Sequence, residues 1–122
     1  MSQDFYLGNP NLKKVGTEIQ FTKDQIQEYL KCKEDPVYFA MNYIKIISLD
    51  EGIVPFKMWD FQQELIESFH ENRFNIAKLP RQTGKSTTCV SYLLHYILFN
   101  DNVNVGILAN KLSTARDLLG RL

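Results

Sequence analysis

Leu79-Pro80-Arg81-Gln82-Thr83-Gly84-Lys85-Ser86 is the stretch that decides the fold of this chain. It fits the second half of the pattern G-x-x-x-x-G-K-[ST], with Leu79 where the first glycine would stand. Gly84 lets the backbone turn tightly so that its N–H groups approach phosphate oxygens, Lys85 reaches the β and γ phosphates, and Ser86 can hold Mg²⁺. The flanks agree with the loop. Phe74 to Leu79 reads as a short strand before it, and Gly84 to about Phe99 as a helix after it, apolar on most sides. A helix opening at the loop puts the positive end of its dipole beneath the phosphates. The competing reading, a surface turn with an incidental lysine, has no use for that setting.

Further along, Val103 to Ala109 reads as a second strand and Ser113 onward as a second helix. Strand, loop, helix, strand and helix make a βαβ unit, whose parallel strands belong to a sheet covered on both faces. The expected fold class is therefore α/β: the start of a P-loop, RecA-like βαβ core over residues 74–122. Before it comes a helical and hairpin subregion over 21–73, and an arm over 1–20 punctuated by Gly8, Asn9, Pro10 and Gly16. Thr22 with Gln25 makes a capping box for a helix from about Lys23 to Cys32, with Phe21 stapling to Ile26 and a stripe of Ile26, Tyr29 and Leu30. Asp35 caps a second helix at Pro36, expected to turn Val37, Tyr38, Phe39, Met41 and Tyr43 inward. Lys45 to Lys57 predicts a hairpin turning at Asp50 to Gly52. A third helix is expected with Asp60 as cap, Gln63 at its third position, and Phe61, Leu65, Ile66 and Phe69 on one face.

Composition narrows the class. The 122 residues carry 14 basic and 14 acidic side chains, a formal net charge of zero, so any nucleic-acid contact must be local or lie elsewhere. A hydrophobic content of 44% with 12% aromatic residues is that of a folded chain. Cys32 and Cys89 stand far apart without a histidine at ligand spacing, which speaks against zinc and disulfides. The N-terminus has no basic region leading into an apolar core, and the most apolar stretch, Val90 to Phe99, is broken by Ser91 and His95, so the expectation is a cytoplasmic protein without a membrane span.

Several residues outside the glycine-lysine-serine step are candidates for chemistry. Gln62 stands near a helix start, where its amide can donate to N7 and accept from N6-H₂ of adenine, or simply cap the helix. An adenine contact would favour ATP over GTP. Arg81 can meet a γ-phosphate or a neighbouring carboxylate in bidentate fashion and so sense nucleotide state. Asn110 and Lys111 follow the second strand, at the carboxyl edge where ligands of open α/β folds gather. His70 and His95 have no paired acid or nucleophile and read as structural.

Taken together these residues resemble the large terminase subunits of tailed phages, above all the contractile-tailed, T-even-like group. The likeness lies in Pro10-Asn11-Leu12-Lys13-Lys14, Lys31-Cys32-Lys33-Glu34-Asp35-Pro36-Val37-Tyr38-Phe39-Ala40, Phe61-Gln62, Arg81-Gln82-Thr83-Gly84-Lys85-Ser86 and Val105-Gly106-Ile107-Leu108-Ala109. The missing first glycine and the arginine in the loop are habits of that family. The resemblance implies an ATPase that docks on the portal protein of an empty prohead, works with a small terminase subunit, and drives double-stranded viral DNA inward. It implies work in the cytoplasm of the infected bacterium and absence from the mature virion, and a metal-dependent nuclease in a C-terminal domain. ATP and Mg²⁺ would be the cofactors. The implied nucleotide contacts are Gln62, Arg81, Gln82, Thr83, Gly84, Lys85, Ser86 and Thr87, with Arg81 and Lys85 acting on the reacting phosphate and Ser86 on the metal.

Family members are much longer, and this chain stops at Gly120-Arg121-Leu122, read as lying inside a helix, before any apolar run ending in Asp-Glu. The expectation is thus an N-terminal fragment, poorly soluble or partner-dependent, and silent as a catalyst on its own. A helicase-like DNA translocase shares the upstream glutamine and the loop, but usually carries more glycine than Pro80-Arg81-Gln82-Thr83. A small-molecule kinase is a weaker fit, and a non-catalytic nucleotide-binding fragment is the alternative outside the enzymes.

Overall fold

A computed structural model describes residues 6–9, 12, 14–16, 18, 20–48 and 50–122. Residues 1–5, 10, 11, 13, 17 and 19 of the expected arm, and Leu49, lie outside the described residues; the described part of the arm contributes one 3₁₀ turn, Tyr6–Gly8. The helices are α1 (Lys23–Glu34), α2 (Pro36–Tyr43), α3 (Asp60–Glu71), α4 (Lys85–Phe99) and α5 (Leu112–Leu119), and strands β1 (Lys45–Ser48) and β2 (Gly52–Pro55) form a two-stranded antiparallel sheet. The protein is of mixed α/β class.

Local chemistry explains the first half. Thr22 Oγ1 accepts from Gln25 N at 3.3 Å while Gln25 Oε1 accepts from Thr22 N at 3.0 Å, the reciprocal box expected for α1. Asp35 Oδ1 accepts from Tyr38 N at 2.8 Å, and Pro36 opens α2 where no amide is needed. The hairpin pairs Ile46 with Val54 and Ile47 with Ile53, and Gly52 turns it at φ +75°, a conformation glycine adopts freely.

The core gathers Ala40 of α2, Phe56 and Met58 of the segment after β2, and Ile66 of α3, with Val37, Ile44, Ile46 and Tyr92 packed against them. Met41 and Tyr43, expected to point inward, are exposed, because on this short helix the buried positions are Pro36, Phe39 and Ala40. The buried face of α4 is mostly polar, yet it is satisfied. Thr88 Oγ1 donates to Gly84 O at 3.0 Å, Ser91 Oγ to Thr87 O at 2.7 Å, and the Nε2–H of His95 to Cys32 O at 2.8 Å. His95 also packs against the rings of Phe39 and Phe99, centroids 5.5 and 4.8 Å away, which is the structural role its sequence setting suggests.

The βαβ expectation is met in its helices and loop but not in its strands. Residues 74–80 and 103–109 belong to no ladder, and Ile76 and Leu108, which a covered sheet would bury, are 102% and 96% exposed. Strand structure is made by hydrogen bonds to a neighbouring strand, and neither segment lies in one. The α5 helix ends at Leu119, where Gly120 N donates to Arg116 O at 2.9 Å, so the last residues cap a helix instead of continuing it.

Candidate functional site

Pro80 to Gly84 passes from the segment after α3 into α4. Two of its residues take the left-handed region, Gln82 at φ +61° and Gly84 at φ +72°. Gly84 is the cap residue of α4, so the first free amides of that helix open directly at the bend. A side chain at position 84 would be strained there, and its Cβ would lie 2.6 Å from Gln62 Nε2. The loop also bonds within itself, Thr83 Oγ1 donating to Pro80 O at 3.0 Å. Lys85 Nζ folds back over the loop, donating to Leu79 O at 3.0 Å and to Pro80 O. The ammonium is thus held at the mouth of the bend by two carbonyls, a place from which an anion can draw it.

Gln62 reaches the same bend from α3. It is 4% exposed, and its amide is used at both ends: Oε1 accepts from Trp59 N at 3.0 Å, and Nε2 donates to Thr83 O at 3.2 Å. The first bond caps α3, which corrects the expected cap. Trp59 is the cap residue, Asp60 is the first helical residue, and Gln62 takes the third position assigned to Gln63. Gln63 turns aside, Nε2 donating to Met58 O at 3.4 Å. After both bonds Gln62 keeps one N–H and one lone pair.

Beside the loop lies a cavity of about 400 Å³, walled by Ile46 of β1, Phe56, Lys57 and Trp59 of the linker, Phe61 and Gln62 of α3, and Gln82, Thr83, Gly84 and Thr87. Of the residues expected at a nucleotide, the structure brings Gln62, Gln82, Thr83, Gly84 and Thr87 to this cavity and Lys85 to the neighbouring bend. Ser86 is exposed on the first turn of α4, and Arg81 is exposed at the tip of the loop. Neither has a hydrogen-bond or ion-pair partner among the described residues, so both are free to meet a ligand. Asn110 and Lys111 are exposed at the start of α5, whose cap residue is Lys111, and do not line this cavity.

Sequence reasoning missed the aromatic wall. Trp59, the only tryptophan, is 72% exposed at the rim, and Phe56 closes the inner side. The available signal was an aromatic standing just ahead of Phe61-Gln62 with no periodic partner to bury it. A second cleft of about 430 Å³ lies between Ile97 of α4, residues 103–107 and α5, but its walls are mainly aliphatic with Arg116 as the one charged group. Its size is similar; its chemistry is not that of a phosphate site, so the loop-side cavity is the candidate.

No protein-family model matches the chain. Among the described residues no group of three or more His, Cys, Asp or Glu could hold a metal, and no helix is long and apolar enough to cross a membrane.

Proposed function

We propose that this chain is the N-terminal part of the ATPase motor of a phage terminase large subunit, binding the nucleotide whose turnover drives viral DNA into the prohead. The observation that carries the reading is the Gly84 bend: a left-handed cap at the head of a helix of 15 residues, with Lys85 folded over it and a nucleotide-sized cavity alongside. The donors suit a polyphosphate. The amides that open α4 and the Lys85 ammonium supply positive charge, and Arg81 extends it outward. A base would enter the cavity between Trp59 and Phe61 on one side and Gln82 and Thr83 on the other.

Magnesium, which would offset the charge of the phosphates, would take the Ser86 hydroxyl, with the phosphates as its other donors. Hydrolysis further requires a group to orient or deprotonate water, and no Asp or Glu lines the cavity. The reading therefore assigns nucleotide binding to this chain and expects no turnover by it alone. The RecA-like core, the DNA, the portal protein and the small subunit come with the resemblance to terminases, through the loop and Phe61-Gln62 above all.

The test is packaging of DNA into proheads by the intact terminase carrying Lys85→Ala. Loss of ATP turnover and of packaged DNA is expected, with the fold intact. Unimpaired turnover in that variant would remove the loop from the mechanism.

A further inference from the structure

Gln62 is an unusual residue for its position. It is buried, neutral, and joined to two different elements through opposite ends of one amide: the first turn of α3 through Trp59 N at 3.0 Å, and the loop through Thr83 O at 3.2 Å. Its Nε2 also stands 2.6 Å from where a Cβ on residue 84 would be, so the amide packs directly against the bend. The bond to Thr83 spans 21 residues of sequence. The other side-chain ties at the bend, Thr83 Oγ1 to Pro80 O and Lys85 Nζ to Leu79 O and Pro80 O, are local. Two left-handed residues, Gln82 and Gly84, flank Thr83, and the Gln62 bond fixes the carbonyl between them.

We infer that Gln62 is a positioning residue for the phosphate loop: by holding the Thr83 carbonyl it presets the Gly84 bend, so its effect extends to any ligand with a polyphosphate, whatever the base. The inference rests on the phosphate-site reading and adds a role to it. Both polar ends of the amide are already engaged, which makes action through the loop the contribution the structure itself displays. A preset loop spares the ligand the entropy of ordering it, and so raises affinity without adding a contact.

The experiment is calorimetric titration of the protein with magnesium tripolyphosphate, which has no base, and with MgATP and MgGTP. Two variants separate the roles of the amide. Gln62→Glu keeps an oxygen for Trp59 N and hence the cap, but offers no donor to Thr83 O. Gln62→Met keeps the length and adds no charge, but loses both bonds. Tripolyphosphate, ATP and GTP should all weaken in both variants by a similar factor, about three- to tenfold for one lost hydrogen bond. The melting temperature should fall in both, through the lost cap in Gln62→Met and through a charge at a buried site in Gln62→Glu. Should Gln62→Met not fold, Gln62→Asn decides in its place, a neutral amide one methylene too short to join Trp59 N to Thr83 O.

Weakening of ATP with tripolyphosphate untouched would return Gln62 to reading the base and overturn the inference. So would weakening in Gln62→Glu with the neutral variant unchanged, or no weakening in any variant. If the unmodified protein binds no tripolyphosphate, it is the phosphate-site reading that fails, and the inference with it.

Discussion

The two flanks of α4 are finished to different degrees. On one, α1, α2 and α3 close over Thr88, Val90, Ser91 and His95, and the core of Ala40, Phe56, Met58 and Ile66 continues from there. On the other, Tyr96, Ile97 and Leu98 are exposed, residues 103–109 run without a strand partner, and α5 has no buried residue. The candidate phosphate loop sits on the finished side, tied through Gln62 to α3 and through Gly84 to α4. On the phosphate-site proposal, the loop lies where packing already fixes the backbone, while apolar surface is left open elsewhere.

That contrast is breakable, first by truncating matched side chains. Ile66, fully buried between α3 and the core, should cost about 3 kcal/mol as Ile66→Ala, because a cavity is left that its neighbours fill only in part. Leu108→Ala on the open side should change stability by less than about 0.5 kcal/mol. Chemical denaturation of the two variants measures both, and equal losses would mean that the open flank is packed in solution.

A second probe is pH. Burial holds the His95 pKa below the usual histidine range, against a smaller opposing pull from the Cys32 carbonyl. The unfolded chain then binds a proton that the folded one refuses, so the contribution of His95 to stability is complete above the ordinary histidine pKa and shrinks as pH falls below it. Stability followed across that window should decline toward acid, and His95→Gln should lessen the slope. An unchanged slope would mean that His95 is hydrated and outside the packed face.

A more local effect is expected at the edge of the finished side. Removing the cap hydroxyl in Thr22→Ala should cost about 1 kcal/mol and shift α1 alone, since the box it forms with Gln25 is local. Helical content measured at the midpoint of unfolding reports it, and a loss as large as that of Ile66→Ala would show that α1 is coupled to the core.

How much of this was legible in the sequence follows from the range of the interactions involved. Caps and turns are local, so Thr22-Gln25, Asp35-Pro36 and the Asp50 to Gly52 turn could be read directly, as could Gly84 at a helix start. Helix faces were read less well. Met41 and Tyr43 are apolar and exposed, whereas Thr88, Ser91 and His95 are polar and buried, because their polar groups find carbonyl partners that no pattern of hydrophobicity records. The strands at 74–79 and 103–109 have the right residues, but a strand exists only beside another. Of the site, the loop was visible and the cavity wall was not. Trp59, Phe56 and Ile46 come together from a hairpin and a linker, and the Gln62 to Thr83 bond joins segments far apart in the chain.

Trp59 gives the central claim its most direct measurement. As the only tryptophan, standing at the rim of the cavity beside the loop, it reports through its fluorescence on anything that enters. Titration with MgATP should give a saturable change in Trp59 emission, competed by magnesium tripolyphosphate, and Lys85→Ala should lose the response while retaining the helical circular dichroism of the unmodified protein. A response of equal affinity in Lys85→Ala, or none in the unmodified protein, would contradict the assignment of Leu79 to Ser86 as a phosphate-binding loop.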